Sequence, residues 1–294
     1  MPELPDIALY LAQLIPRVVG QPLLRIGLRS PFVLRSVDPP VEALEGKRIL
    51  ALRRLGKRIV FELEDGLFVV VHLMIAGRFR WKEPGTKSGG KLVLAAFEFP
   101  QGVLQLTEAG SKRRASIHLV RGADQLQGFE RGGLEVLDAE LEEFAQRLRS
   151  ENHTLKRALT DPRLFSGIGN AYSDEILHRA RLSPLALTGR LSDHQVSTLY
   201  DATRATLMDW IERLQQEAGD RFPEKVTAFR EGMAVHGRYG KPCPVCGSAV
   251  QRIRYADNET NYCARCQTGG RLLADRAMSR LLKQDWPRSI DEVE

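Results

Sequence analysis

The sequence contains no run of eighteen apolar residues, and its longest apolar stretch, Leu67 to Ala76, is broken by His72. A helix that crosses a bilayer needs about twenty consecutive apolar residues, so no membrane span is expected. Met1-Pro2-Glu3-Leu4-Pro5-Asp6 lacks a basic stretch followed by an apolar core; no secretory signal is read there, and a cytoplasmic protein is expected. There is no internal repeat and no low-complexity tract, which argues against a solenoid or a linker-rich chain. Cysteine is scarce, with four in 294 residues. Acidic residues are outnumbered toward the C-terminal end. From Lys225 to Asp285 there are eleven Lys and Arg against five Asp and Glu, enough to supply the whole formal charge of +6. Such a segment suits a polyanion. Two further basic knots, Lys47 to Arg58 and Lys112-Arg113-Arg114, lie far away in sequence; each alone reads first as solvated surface.

What is present is 43% hydrophobic and 27% charged over 294 residues, which excludes a disordered chain and allows one large domain or two ordinary ones. Ile7, Leu11, Leu14 and Ile15 share one face of a helix that opens after Pro2 and Pro5. Strand-like runs follow: Arg58 to Leu63, Leu67 to Leu73, Leu92 to Phe99, Val103 to Leu106 and Ser116 to Val120, joined by turns such as Glu64-Asp65-Gly66 and Pro100-Gln101-Gly102. Short strands on such turns predict a two-sheet antiparallel sandwich. Past Gly132-Gly133 the pattern becomes helical, with pieces at Leu141 to Leu148 and Leu155 to Leu159 and a long helix capped by Ser192. Its stripe of Val196, Leu199, Tyr200, Leu207, Trp210, Ile211 and Leu214 is core. The fold class expected is α+β. A helix plus sandwich domain covers 1–131, a helical domain 132–235, a zinc finger 236–268, and an extension 269–294.

Chemistry concentrates in three places. Cys243-Pro-Val-Cys246 and Cys263-Ala-Arg-Cys266, with sixteen residues between them, use every cysteine in the chain. Two such knuckles present four thiolates tetrahedrally to one Zn²⁺, and four protein ligands leave no place for a reactive water, so the zinc is read as structural. The intervening residues should form a β-hairpin carrying Arg252 and Arg254. Leu164-Phe-Ser-Gly167-Ile-Gly169-Asn170-Ala-Tyr172-Ser-Asp-Glu175 is a Gly-rich turn leading into a helix capped by Asn170. Backbone N–H groups there make a phosphate seat, although a plain helix-turn-helix junction has the same pattern. At the N-terminus, removal of Met1 would expose the secondary amine of Pro2 beside Glu3. An α-amine titrates at about 7.7–8.0, and a neutral one is a nucleophile that an adjacent carboxyl can assist. Pro-Glu at a terminus alone is usually no more than a chain start.

Together these elements resemble the formamidopyrimidine-DNA glycosylase and endonuclease VIII family over residues 2 to 267. The segments carrying the resemblance are Pro2-Glu3-Leu4-Pro5, Lys57 before a strand, His72-Leu-Met-Ile-Ala-Gly77, Gly167 to Glu175 with its helix–two-turn–helix, Gly237-Arg238, and the four-cysteine finger. Pro-Glu-Leu-Pro looks more like the formamidopyrimidine branch. The resemblance implies a bifunctional DNA glycosylase and abasic-site lyase of base excision repair. Pro2 would attack C1′ of a flipped nucleotide and form a Schiff base that undergoes β,δ-elimination, with Glu3 as proton donor to the opening sugar. It also implies that Lys57 and Asn170 bind lesion-strand phosphates and that His72 lies in the segment filling the void left by the base. Lys112, Arg113, Arg252, Arg254 and Asn258 would contact DNA, and Cys243, Cys246, Cys263 and Cys266 would hold zinc. The partner implied is double-stranded DNA with damaged bases or abasic sites, and a monomer is expected.

The departures are specific. Asp6 and Ala8 stand where the family carries acids, and Ile75 stands for the intercalating Met. Glu108 to Ser116 replaces an Arg-Arg-Phe-Gly wedge loop and has no aromatic, residues 219–235 do not match the longer lid, and Asn258 stands for a phosphate-binding Arg. These favour a second reading, a non-catalytic binder of lesions or DNA structures on the same scaffold, and they make 8-oxoguanine an expected poor substrate. Beyond the finger, Leu272, Leu273, Leu281, Leu282 and Trp286 suggest an amphipathic helix, with docking on the protein's own surface preferred over a contact with a partner or DNA.

Overall fold

The computed structural model describes residues 1–86, 89–110, 112–224, 226–255, 258–273 and 287–293. The chain divides into two compact units, Met1–Arg131 with Asp209–Thr227, and Gly132–Met208 with Ala228–Glu294. Among the described residues no helix is long and apolar enough to cross a membrane.

The first unit opens with α1 (Leu4–Val18). Eight strands follow: β1 (Arg25–Leu28), β2 (Ile49–Leu55), β3 (Arg58–Leu63), β4 (Leu67–His72), β5 (Gly77–Lys82), β6 (Val93–Phe99), β7 (Gly102–Glu108) and β8 (Ser116–Arg121). They form two antiparallel four-stranded sheets, ordered β1-β6-β7-β5 and β2-β3-β4-β8. One apolar core joins them, with Phe61, Val69 and Val71 from one sheet and Phe79, Phe97 and Leu104 from the other. Phe61 and Phe97 stack with ring centroids 6.0 Å apart. The face that α1 buries is Ile7, Tyr10, Leu14 and Val18. Ile15, which the sequence pattern placed on that face, is 42% exposed, because the stripe follows Tyr10 and Val18 instead.

Three strands escaped the pattern reading. In β2 a bulge between Ile49 and Ala51 breaks the alternation. Strand β5 alternates Arg78 and Arg80 with Phe79 and Trp81, a half-buried strand whose polar face is basic. The third, β1, is only four residues long.

The second unit holds α3 (Leu141–Arg149), α4 (Leu155–Thr160) and α5 (Asn170–Arg179), after a short α2 (Ala123–Gln127) that ends the first. The long helix α6 (Asp193–Ala218) begins in the second unit and ends in the first. Its start is capped as expected: Ser192 Oγ accepts from Gln195 N at 3.3 Å, while Ser192 N donates to the Gln195 side chain at 3.0 Å. The finger hairpin, β9 (Gln251–Tyr255) and β10 (Asn258–Tyr262), and α7 (Ala264–Thr268) complete the unit.

The compact units group two segments in ways that the sequence pattern does not signal. Residues 209–227 belong with the sandwich, because Phe222 and Val226 join its core. In addition, Gln13 and Arg17 of α1 donate to the carbonyls of Gly219 and Asp220 at 2.6 and 2.7 Å. The finger packs within the second compact unit: Gln267 on α7 donates to the Leu182 carbonyl at 2.9 Å and the α5 side chains bond to β10. The amphipathic helix expected around Leu281, Leu282 and Trp286 lies outside the described residues. On either side of it the extension docks onto the finger. Leu272 N donates to Arg288 O at 2.9 Å, and Ile290, fully buried, packs with Ile253, Tyr262, Leu272 and Leu273.

Candidate active site and zinc finger

The N-terminal end is built by the first turn of α1. Glu3 is the N-cap residue in extended conformation, and Glu3 and Asp6 form a capping box in which Glu3 N donates to Asp6 Oδ2 at 2.9 Å. Pro5 falls in the first turn, where a missing N–H costs no helical bond. Glu3 and Asp6 are 3% and 1% exposed. Asp6 thereby serves the helix start as Glu143 does in α3, so the capping box does not account for Asp in place of the family's Glu.

Burial pushes the chain-terminal amine below its ordinary value of 8.0, and Arg78 and Lys57 push the same way against Glu3 and Asp6. An amine at this position is therefore more often neutral at pH 7 than a solvated one. In the chain as numbered that amine belongs to Met1, with Pro2 buried behind it.

Lys57 sits in the tight turn between β2 and β3, where Leu55 pairs with Arg58 and Gly56 takes a left-handed φ of +60°. Arg78, which the sequence reading missed, is the second residue of β5 and donates to the carbonyls of Ile75 and Gly77 at 3.2 and 2.6 Å. His72 ends β4, paired with Arg58 and Ser116. Burial, then Arg58, Lys57 and His118, lower its pKa to about 4, so it is neutral at physiological pH. The turn that follows is closed by Gly77 N donating to Leu73 O at 2.9 Å. A Cβ on Gly77 would lie 2.2 Å from that oxygen, so only glycine fits. Met74 is held at φ +53°, and Ile75 stands 58% exposed at the tip.

The loop after β7 carries Lys112 and Arg113, both exposed. Its shape is set by Glu108, 1% exposed, whose carboxylate accepts from Arg114 N and Ala115 N at 2.8 and 3.0 Å. Arg113 donates to Lys91 O at 2.7 Å.

In the second unit the helix–two-turn–helix is α4, the turn 161–169, and α5. The cap differs from the sequence reading: Gly169 is the N-cap and Asn170 the first helical residue, with no side-chain cap bond. The Asn170 amide instead donates to the Glu259 carbonyl of β10 at 2.9 Å. Lys156 anchors the turn, donating to Asn170 O at 2.7 Å and to Asp174 Oδ1 at 2.5 Å. The other Asp174 oxygen accepts from Asn261 N at 3.1 Å and bonds His236 Nδ1 at 2.8 Å. Glu175 accepts from the backbone N–H groups of Ala234, Val235 and His236 at 2.7–2.9 Å. Burial raises its pKa despite those bonds. Asp174 and Glu175 lie inside the quoted motif, yet apart from Lys156 their partners are some sixty to ninety residues away, and no local pattern signals such pairs.

The finger hairpin forms as expected, with Glu259 opposite Arg254 and Asn261 opposite Arg252. Arg252 lies over the Tyr239 ring at 4.0 Å, and Arg252 and Arg254 approach Glu259 Oε2 at 3.3 and 3.7 Å. Asn258 is exposed at the start of β10.

The four cysteines are free thiols whose sulfurs all lie within 4.8 Å of one another. The pairs 246–263 and 243–266 are 3.3 and 3.9 Å apart. Tetrahedral ligation at about 2.3 Å spaces sulfurs about 3.8 Å apart, so the set fits one zinc. His178 Nε2 lies 3.3 Å from Cys243 Sγ, an outer contact of the sort that orients a ligand. The chain thus has a structural zinc finger.

The sequence-predicted residues therefore fall into two groups: Pro2, Glu3, Lys57, His72, Lys112 and Arg113 in the first unit, and Asn170, Arg252, Arg254, Asn258 and the cysteines in the second.

Comparison with known proteins agrees with this layout. Residues 1–114 match the formamidopyrimidine-DNA glycosylase N-terminal domain, 134–220 its H2TH domain, and 240–269 the zinc finger found in FPG and IleRS. A formamidopyrimidine-DNA glycosylase from Thermus thermophilus is 35% identical over 281 residues, covering 92% of this chain and 100% of its own length. An uncharacterised formamidopyrimidine-DNA glycosylase-like protein from Mycobacterium tuberculosis is 45% identical over 152 residues, which is 51% of this chain and 94% of that protein. The crystal structure of the MutM (Fpg) protein from Thermus thermophilus superposes with a TM-score of 0.75 at 32% identity, covering 90% of this chain and 98% of the other. A Lactococcus lactis FPG mutant bound to Fapy-dG-containing DNA gives 0.77 at 26% identity, covering 91% and 100%. With a buried Pro-Glu start, a helix–two-turn–helix and a four-cysteine finger in one chain, this protein belongs to the formamidopyrimidine-DNA glycosylase and endonuclease VIII family.

Proposed function

We propose that this protein is a DNA glycosylase of base excision repair that also cleaves abasic sites, acting through the secondary amine of Pro2 once Met1 is removed. The observation that carries this reading is the N-terminal environment: Pro2 and Glu3 are buried, and burial, Arg78 and Lys57 lower the pKa of the amine that Met1 carries there, beside the carboxylates of Glu3 and Asp6. The neutral amine attacks C1′ of the damaged nucleotide, the C1′–N bond breaks and the base leaves. Glu3 protonates the sugar ring oxygen as the ring opens and the Schiff base forms. Loss of the 3′ and then the 5′ phosphate by β- and δ-elimination releases the strand ends. Lys57 supplies a phosphate contact next to the reacting sugar, and neutral His72 with Ile75 fills the space left by the extruded base. In the second unit Asn170, Arg252 and Arg254 grip the backbone. The substrate class proposed is duplex DNA with ring-opened purines, oxidised pyrimidines or abasic sites, acted on by a cytoplasmic monomer.

A second reading, a lesion binder without chemistry, is favoured by Asn258 and by the aromatic-free loop after β7. Borohydride trapping separates the two. Mature protein is expected to cross-link to an abasic-site duplex, and Pro2→Gly or retention of Met1 to reduce the product at least a hundredfold. Equal trapping by a Met1-retaining form would remove Pro2 from the mechanism, and no trapping at all would favour the binder.

A further inference from the structure

We infer that Glu259 acts as a built-in stand-in for a DNA phosphate, holding the grip of the finger shut until a backbone phosphate displaces it. The inference rests on the DNA-binding reading above. Three donors in the second unit have the chemistry to hold a phosphate: the Asn170 amide and the Arg252 and Arg254 guanidinium groups. The two guanidinium groups approach the Glu259 carboxylate, and the Asn170 amide bonds the main-chain carbonyl of the same residue. Asn170 Nδ2 donates to the Glu259 carbonyl at 2.9 Å, Arg252 Nη1 lies 3.3 Å from Glu259 Oε2, and Arg254 Nε lies 3.7 Å from the same oxygen.

The register explains the convergence. Arg252, Arg254, Glu259 and Asn261 share one face of the two-stranded ribbon, with Glu259 directly across from Arg254 and diagonal to Arg252. Asn261 is buried and fixed, its Nδ2 donating to Glu259 Oε1 at 2.8 Å. The carboxylate is therefore pinned from behind while its other oxygen faces the arginines.

Charge makes this placement consequential. An incoming phosphate meets two cations already neutralised in part by one anion, so the hairpin offers a net single charge where two arginines stand. Glu259 and Arg252 are about one-third exposed and Arg254 about two-thirds, and ion pairs in such surroundings are weak. The carboxylate can yield, but any duplex has to displace it. The displaced state leaves Arg252 in position, because its guanidinium stays stacked on Tyr239. The result is a brake on the sequence-independent part of binding, which phosphate contacts dominate.

The test is the salt dependence of binding to an undamaged duplex and to the same duplex with an abasic-site analogue, using the full-length zinc-loaded protein. Glu259→Gln keeps the shape and the acceptor for Asn261 but removes the charge. It is expected to steepen the slope of log K against log salt by about 0.9, the contribution of one more neutralised phosphate. At 0.1 M salt both duplexes should then bind about eightfold tighter, the factor that slope supplies between 1 M and 0.1 M. Glu259→Asp, which keeps the charge, should stay within twofold of the wild type. An unchanged slope in Glu259→Gln would overturn the inference, as would weaker binding, which would make Glu259 a support for the arginines. A heparin column keeps the outcome separate from the fate of the proposed function. If wild-type protein binds neither duplex, the DNA-repair reading fails, while later elution of Glu259→Gln from heparin still supports the brake and identical elution sinks it.

Discussion

The N-terminal end of α1 and the finger side of α5 both place buried carboxylates next to functional groups, but they organise them over different distances. At the N-terminus the bond is local: Glu3 and Asp6 are three residues apart and close a capping box. At α5, Asp174 and Glu175 reach across the fold to His236, Asn261 and the 234–236 backbone. A local device costs little to build and fixes one end of one helix. A long-range device fixes three chain segments together, and losing it releases all of them.

The largest effect should come from breaking the long-range device. Glu175→Ala leaves three backbone N–H groups without their acceptor, two of them buried. Each unsatisfied buried donor costs about 1–3 kcal/mol, so a loss of roughly 3 kcal/mol or more is expected, about 6–12 °C in melting temperature. Thermal melts followed by circular dichroism measure this, and a shift under 2 °C would mean that water replaces the carboxylate. Ile290→Ala probes the same unit from outside the zinc site. It removes a fully buried side chain from the cluster of Ile253, Tyr262, Leu272 and Leu273, at about 2–4 kcal/mol. Earlier zinc release during denaturant titration is the expected sign that the C-terminal extension braces the finger. Unchanged release would make the docking incidental.

The same difference in range explains what could be read from the sequence. The sandwich strands with clean alternation, the Ser192 cap, the knuckle spacing and the Pro-Glu start all depend on residues within a few positions of one another. The finger and its zinc were legible for that reason. Missed were the bulged β2 and the basic β5, where a local irregularity or an unusual composition hides the period. Missed too was the return of 209–227 to the sandwich, decided by Phe222 and Val226 entering a core more than a hundred residues upstream. Asn170 is the instructive error. Its place before a helix fits a cap, yet the Glu259 carbonyl takes its amide, and the two residues are 89 apart in sequence.

The local device can be probed through pH. The Met1 amine sits below its ordinary 8.0 because burial outweighs the opposing charges, and the Pro2 amine freed by its removal is expected to shift the same way. Only the neutral amine attacks, so trapping should fall as pH drops through a midpoint below 8.0. Asp6 raises the amine's pKa, so Asp6→Asn should move that midpoint down. Arg78 lowers it, so Arg78→Gln should move it up. Opposite movements, read from trapping rates at a series of pH values, would tie both residues to the amine. A midpoint at or above 8.0 in the wild type would sink the electrostatic argument.

The smallest effect tests whether the finger's altered phosphate position matters. Asn258 is exposed at the head of β10, next in sequence to Glu259. A neutral amide offers a phosphate fewer and weaker bonds than a guanidinium, whose fork binds it with charge assistance. Asn258→Arg should therefore tighten duplex binding and steepen the salt slope, by up to about 0.9 if the new arginine reaches a phosphate freely. Glu259 stands beside it with two arginines already near its carboxylate, so a third cation shares an anion that is partly engaged. The gain should then be smaller than that of Glu259→Gln, roughly two- to threefold at 0.1 M salt where one full contact gives about eightfold. The double variant orders the two effects. If Asn258→Arg gains its full slope only when Glu259 is Gln, the carboxylate competes for every cation on that face of the hairpin. If the single variant already gives the full slope, position 258 reaches a phosphate that Glu259 does not guard.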